Sequence, residues 1–176
     1  SVKSRGLGDV YKRQVLDRAN VLRFGKPPNC ESREIQEDKS NSNYMLNKNT
    51  WSSWVSNSMS SEDEEYINTK CNKINDALQK VGRAFGHRIH QAISQYVANY
   101  PLWVEGRREK AFADQLEQKI LPKLRGLSHD TDDGLEDVYN TIAEVISELG
   151  DKELDEAFSV ARDKPVFDFK GVNREV

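Results

Sequence analysis

The sequence predicts a mainly α-helical protein, a small helical bundle accompanied by one or two isolated short strands. Two observations support this fold class. Between residues 61 and 164, apolar residues recur at intervals of three and four, the period of one face of an α-helix. These periodic segments are preceded by serine or aspartate and followed by glycine or proline, which are the residues that begin and end helices.

The first predicted helix begins at Ser60 or Ser61 and ends at Gly82. Either serine is a good N-cap, and the acidic residues that follow occupy the first turn, where the helix dipole favours negative charge. Its apolar residues are Ile67, Cys71, Ile74, Leu78 and Val81. Their spacing predicts an amphipathic helix with one buried face.

The second predicted helix follows Gly86, which we expect to let the chain turn sharply, and it ends at Pro101. The third runs from about Arg108 to Leu121, and Pro122 is expected to end or kink it because proline lacks a backbone N–H. The residues expected to face inward are Phe85, Ile89, Ala92, Ile93, Tyr96 and Val97 in the second helix, and Phe112, Leu116, Ile120 and Leu121 in the third.

The fourth predicted helix begins at Ser128 or Thr131 and ends at Gly150, and Asp151 caps a short fifth helix. The residues expected inside are Leu135, Val138, Tyr139, Ile142, Val145, Ile146 and Leu149, followed by Leu154, Phe158 and Val160. The tail at 165–169 alternates like one more strand. Each face carries about five large apolar side chains, each contributing roughly 1.5–3 kcal/mol when buried, so the bundle is expected to fold alone.

The chain before residue 61 has a different character. Residues 1–14 are basic and lack an apolar face, so we expect a non-native or disordered arm. Residues 15–28 include a short strand, and since a lone strand leaves backbone groups unpaired, we expect it to be the end of a sheet that lies upstream. Residues 29–60 form a polar loop or insertion with a short helical turn near Trp51 and Trp54, whose indoles are predicted to anchor packing.

Composition excludes some functional classes. The 176 residues carry a net charge of −3, with 36% hydrophobic residues. Acidic and basic residues are interleaved, so no global field draws the protein to nucleic acid or to a membrane surface. No apolar run approaches the roughly 20 residues that a membrane span needs. Cys30 and Cys71 are isolated thiols without CxxC spacing, which is typical of a protein in a reducing compartment, so we expect a cytoplasmic protein. Because no segment could span a membrane, we also expect no membrane partner.

Other candidate sites are weak. His87 and His90 are three residues apart but lack a nearby third ligand, so we expect no metal site. The loop at 129–134 looks like a calcium loop but fails the EF-hand ligand pattern. Two basic groups are interleaved with glutamates and are expected to be solvated helix faces rather than nucleic-acid contacts. They are Arg107, Arg108 and Lys110, and Lys119, Lys123 and Arg125.

Several short segments, in this order and spacing, resemble the C-terminal end of McrB-like AAA+ nucleotidases. They are VLDRANV at 15–21, the helix at 75–78, FGHR at 85–88, Tyr96, and Asp114-Gln115 through KILPKLRG at 119–126. The resemblance covers roughly residues 15–126. It implies that 15–28 are the end of a truncated AAA+ nucleotide-binding core and that 61–164 form the helical lid. Whether 127–176, including the C-terminal tail at 165–176, belong to the lid is left open.

The resemblance also implies functional residues. Arg88 would be the lid arginine that reaches the nucleotide of its own subunit, with Gly86 and His87 beside it, and Arg18 would face the neighbouring subunit's site in a homo-oligomeric ring. The cofactor in the full-length parent would be ATP or GTP with Mg, with none expected bound to this fragment alone. Each arginine also has a simpler interpretation as a surface ion pair, that of Arg18 with Asp17 or a neighbouring helix.

The implied activity belongs to the parent protein. It would couple ATP or GTP hydrolysis to a nuclease or effector subunit that acts on nucleic acid, as in DNA restriction. These 176 residues contain no GxxxxGK[ST] motif, so the fragment by itself is expected to be inactive. The alternative function is a stand-alone helical protein- or DNA-interaction module without catalysis.

Overall fold

The computed structural model describes residues 20–21, 47–55 and 59–172. Within these ranges the chain is a mainly helical bundle, as the sequence predicts. The arm at 1–14 and most of the segment at 15–28 lie outside the described residues. The helices are α1 (Lys48–Trp54), α2 (Ser61–Lys80), α3 (His87–Ala98), α4 (Arg107–Gln115), a π-helix (Leu116–Ile120), a 3₁₀ helix (Leu121–Leu124), α5 (Leu135–Leu149) and α6 (Lys152–Arg162).

The longest helix, α2, packs against both α3 and α5. It begins where the sequence predicts, because the Ser60 hydroxyl accepts a hydrogen bond from the Asp63 N–H at 3.1 Å. Helix α4 packs against α3 and α5, and α6 packs on α5. One apolar core results, and its largest fully buried side chains are Tyr139, Phe112, Phe158, Phe167, Ile67, Ile74, Leu78, Ile89, Ile93, Leu116, Ile120 and Leu121.

The third predicted helix does not end at Leu121. It changes into the π-helix and then the 3₁₀ helix, so Pro122 lies in the first turn of a new helical segment, where its missing N–H does no harm. In a regular α-helix the carbonyl of Gln118 would accept from the residue at 122. Here that carbonyl accepts from the Val21 N–H at 3.2 Å. Helical structure therefore continues through Pro122 to Leu124.

The predicted start of the fourth helix is wrong. Helix α5 begins at Leu135, and its N-cap is Gly134 with φ +83°. Ser128 and Thr131 lie in the preceding turn, where the Ser128 N–H donates to a carboxylate oxygen of Asp132 at 2.9 Å. Left-handed backbone is open to glycine, so the chain can enter the helix without a side-chain cap.

Helix α6 has the predicted N-cap, since the Asp151 carboxylate accepts from the Leu154 N–H at 3.0 Å. The prediction that Val160 faces inward is wrong, because Val160 is 63% exposed. Buried positions in this helix follow Leu154 at intervals of four and three, which leads through Phe158 to Ala161.

The tail at 165–169 does not form the strand that the sequence predicts. Val166 makes an isolated antiparallel bridge with Ser128, and the Phe167 N–H donates to the Leu127 carbonyl at 2.8 Å. The alternation is nevertheless visible in burial, because Phe167 and Phe169 are buried while Val166 is exposed. Pairing stops after one bridge, so the tail closes the core with side chains and not with a sheet.

The prediction that Trp51 and Trp54 anchor packing is wrong, because both side chains are exposed. Trp51 and Trp54 are 57% and 64% exposed, and α1 buries no residue. Trp103 and its neighbour Leu102 are also exposed, at the turn between α3 and α4. None of the helices in the described ranges has the length and apolar character needed to cross a membrane.

Candidate anion-binding site at the start of helix α3

Three of the residues that the resemblance implies, Gly86, His87 and Arg88, lie at the start of α3. His87 and Arg88 are the first two residues of the helix and Gly86 is its N-cap. All three are exposed. Arg18 lies outside the described residues, so its placement in a ring stays a prediction.

Gly86 does not supply the sharp turn expected of it. Its φ of −93° and ψ of −177° are accessible to any residue. The reversal occurs at Gly82, whose φ is +65°. There the Gly82 N–H donates to the Gln79 carbonyl at 3.0 Å and the Arg83 N–H donates to the Leu78 carbonyl at 2.9 Å, the hydrogen-bond pair of a Schellman motif.

The link between α2 and α3 is held by side chains of α2. The Asn75 carbonyl oxygen accepts from the Phe85 N–H at 2.7 Å, and the Phe85 ring is buried in the core. One turn into α3, the His90 Nε2 lies 2.8 Å from the Asn68 carbonyl oxygen, which accepts a hydrogen bond when Nε2 carries the ring proton. The start of α3 is therefore attached to α2 on both sides of Gly86.

The first turn of α3 is open to an anion. The Gly86 carbonyl accepts from the Ile89 N–H at 3.1 Å, while no side chain caps the helix. A Cβ built at Gly86 meets nothing within 4 Å, so the approach to the first-turn amides is clear. Among the residues that the structure describes, Arg88 forms no ion pair. Unsatisfied amides, the positive helix end and a guanidinium together favour a phosphate or carboxylate.

A family model for a domain of unknown function, DUF8727, matches residues 34–164, more than half of the chain. The chain belongs to this family. No curated protein and no solved structure matches it. The matched range contains all six described α-helices and the start of α3, and it ends two residues after α6, before the buried tail residues Phe167 and Phe169.

One of the two basic groups of the DUF8727 domain is engaged internally. Arg107 Nη2 lies 2.5 Å from Asp63 Oδ2, and Arg108 Nε lies 2.6 Å from Asp63 Oδ1. Arg107 Nη1 also donates to the Val97 carbonyl at 2.9 Å. These guanidiniums join α2, α3 and α4, and their charge is paired with a buried carboxylate of the bundle.

Asp63 was not predicted to be a functional or structural centre. It is only 3% exposed, and burial acts to raise its pKa. Hydrogen bonds from Arg107 and Arg108 outweigh burial and hold the pKa of Asp63 below its usual value. No local signal marks this residue, because its partners lie 44 and 45 positions away in the sequence.

The other groups considered from the sequence do not assemble a metal centre. Within 20–21, 47–55 and 59–172, no three residues of His, Cys, Asp and Glu are grouped to hold a metal ion. His90 instead contacts Asn68, and His129 lies near Glu136, with 3.8 Å between its Nδ1 and the carboxylate. Lys119, from the second basic group, is buried, which leaves Lys123 and Arg125 as the more accessible cations there.

Proposed function

We propose that the DUF8727 domain of this chain is the lid and subunit-interface module of a McrB-like AAA+ nucleotidase, and that Arg88 contacts the phosphates of ATP or GTP. The observation that carries the proposal is the first turn of α3, which no side chain caps and which bears the exposed Arg88 between the buried residues Phe85 and Ile89. The sequence resemblance of residues 85–88 to the lid of that family points to the same turn.

The chemistry suits a lid. In phosphoryl transfer a guanidinium stabilises the charge that builds on the transferred phosphate, and it does so best when no carboxylate neutralises it. Nucleotide and Mg would be held by a phosphate-binding loop, a motif that these 176 residues do not contain. The bundle would close over a nucleotide bound elsewhere. Arg18 would face a neighbouring subunit in a ring, and a nuclease or effector partner would act on nucleic acid.

Phosphate titration of the 176-residue chain tests the proposed contact directly. Inorganic triphosphate, ATP and GTP are added separately while amide NMR signals are followed. Because this chain lacks the phosphate-binding loop, no nucleotide is expected to stay bound to it, and we expect only weak, rapidly exchanging contact with the largest shifts at residues 86–89. Arg88→Ala is expected to weaken the affinity for triphosphate about tenfold, which corresponds to about 1.4 kcal/mol. Arg125→Ala removes another exposed arginine, outside α3, and is the matched control with unchanged affinity.

A second measurement tests the catalytic role. In a complete nucleotidase that contains this domain, Arg88→Ala is expected to lower nucleotide turnover at least tenfold, about 1.4 kcal/mol of transition-state stabilisation, while the domain stays folded. Unchanged turnover, or triphosphate shifts located away from α3, would dismiss the lid assignment.

One observation favours the alternative function, a stand-alone protein-interaction module. Leu102 and Trp103 are 79% and 86% exposed on an ordered turn. The turn is closed by the Val104 N–H, which donates to the Pro101 carbonyl at 3.2 Å. An exposed tryptophan on a turn closed by a hydrogen bond is a typical anchor for the apolar pocket of a partner. Trp103→Ser would then reduce association with a partner protein, and triphosphate would not bind at α3.

A further inference from the structure

We propose that Asn68 and Asn75 of α2 are positioning residues that clamp the start of α3 and thereby set the direction of Arg88. The link to phosphate rests on the proposed function, whereas the clamp itself is a property of the fold. The clamp consists of two hydrogen bonds that the asparagine carbonyl oxygens accept, from His90 Nε2 at 2.8 Å and from the Phe85 N–H at 2.7 Å.

The two asparagines share one face of α2. They are seven residues apart, which is two helical turns, so they project in nearly the same direction. Each follows a fully buried isoleucine, Ile67 or Ile74, and each is half-buried itself. They therefore lie along the edge of the apolar stripe that packs against α3, where a polar side chain can reach a group of the neighbouring segment, the His90 ring or the Phe85 backbone, without being isolated from water.

Asn75 anchors the chain before the helix begins. Its partner is the backbone N–H of Phe85, the residue that precedes the N-cap Gly86. The Phe85 ring is 8% exposed, so both the side chain and the backbone of this residue are fastened to the bundle. This double attachment determines where the first turn of α3 starts.

Asn68 sets the rotation of the helix about its own axis. Successive residues of an α-helix are rotated by about 100°, so Arg88 and His90 project in nearly opposite directions. Because Asn68 holds the His90 ring against α2 at 2.8 Å, Arg88 is directed away from α2 and into solvent. Together the two contacts fix both the position and the rotation of the turn that carries Arg88.

The clamp can be measured in the 176-residue chain without any ligand. We expect Asn75→Ala to raise the exchange rate of the Phe85 amide about tenfold and to increase the motion of the Arg88 amide and Nε–H in NMR relaxation. Asn75→Asp keeps an oxygen acceptor at the same place and is expected to restore both signals. Asn72→Ala, an exposed asparagine on the same helix, is the matched control.

Triphosphate titration of the same variants tests the consequence. Asn75→Ala and Asn68→Ala are each expected to weaken triphosphate binding at α3 several-fold, while Asn75→Asp binds like the native chain. The clamp is overturned if Asn75→Ala leaves the Phe85 exchange and the Arg88 motion unchanged. The positioning role is overturned if exchange and motion rise but the affinity for triphosphate does not fall. If the native chain does not bind triphosphate at α3, the proposed function fails, and greater Arg88 motion in Asn75→Ala still supports the clamp.

Discussion

Replacement of Asp63 by asparagine removes the buried negative charge at the junction of α2, α3 and α4 and leaves the two arginines there. The Asp63 carboxylate is 4% exposed and contacts Arg107 at 2.5 Å and Arg108 at 2.6 Å. The two guanidinium-bearing side chains are 21% and 33% exposed. Asp63→Asn leaves both cations in place and takes away the only carboxylate that is buried between them in the described part of the chain.

The expected loss of unfolding free energy is about 3 kcal/mol. Removing one partner of a fully buried ion pair costs roughly 3–5 kcal/mol, and a hydrogen bond to a charged group contributes roughly 1.5–3 kcal/mol. The value lies at the low end of the first range because both guanidinium groups, which are partly exposed, can be hydrated when asparagine replaces Asp63. For a bundle of this size the melting temperature should fall by about 10 °C.

The loss of unfolding free energy caused by Asp63→Asn must depend on pH. Burial acts to raise the pKa of Asp63, but the hydrogen bonds from Arg107 and Arg108 hold it below the ordinary 3.8. A carboxyl group whose folded pKa is lowered stabilises the protein above its unfolded pKa, and that contribution disappears as the pH falls through the folded pKa. The difference between the native chain and Asp63→Asn should therefore be full at neutral pH and shrink below about pH 4.

Urea unfolding followed by circular dichroism measures this difference at neutral pH and at about pH 3. Glu62→Gln is the matched control, since Glu62 precedes Asp63 in the same turn and contacts Arg108 at 3.3 Å but is 83% exposed. We expect the control to lose less than about 1 kcal/mol. A loss below about 1 kcal/mol for Asp63→Asn, or a loss that does not shrink in acid, would refute the reasoning.

Two further predictions concern buried groups. Tyr139→Phe should change the unfolding free energy by less than about 0.5 kcal/mol, because the Tyr139 hydroxyl is buried without a hydrogen-bond partner among the described residues. Tyr96→Phe should lower the unfolding free energy by about 1 kcal/mol, because it removes the 2.9 Å hydrogen bond that the Tyr96 hydroxyl donates to Asp114. Urea unfolding of both variants checks this, and equal losses would contradict it. Burial raises the pKa of Cys71 to about 12, so in a Cys30→Ser background a thiol reagent should label the chain only after unfolding. Rapid labelling under native conditions would contradict the buried position.

The helices were predictable because their signals are local. The apolar spacing from Ile67 to Leu78 fixes which face of α2 is buried, and Ser60 marks where the helix begins, without reference to any other part of the chain. The errors occurred where local signals compete. Gly134 starts α5 although Ser128 and Thr131 are better N-caps, because their hydroxyls are engaged within the preceding turn: Ser128 Oγ accepts from the Asp130 N–H at 3.4 Å, and Thr131 Oγ1 donates to Asp132 at 3.1 Å.

The candidate site was predictable only in part. Within FGHR at 85–88, Gly86 precedes the predicted second helix and so places His87 and Arg88 in its first turn. Its two asparagine contacts were not predicted. A pair of asparagines seven residues apart beside the apolar stripe of α2 is a usable signal for a clamp, but it does not name the partner residues.

The sequence by itself determined the helical class, the buried face of most helices and the location of Arg88 in a first turn, because periodicity and caps act within a few residues. Only the tertiary structure decided that Asp63 joins Arg107 and Arg108, and that Trp51 and Trp54 stay exposed. These outcomes depend on which helix faces meet. Ion pairs and burial between residues more than forty positions apart are set by packing of the whole bundle, which no local pattern encodes.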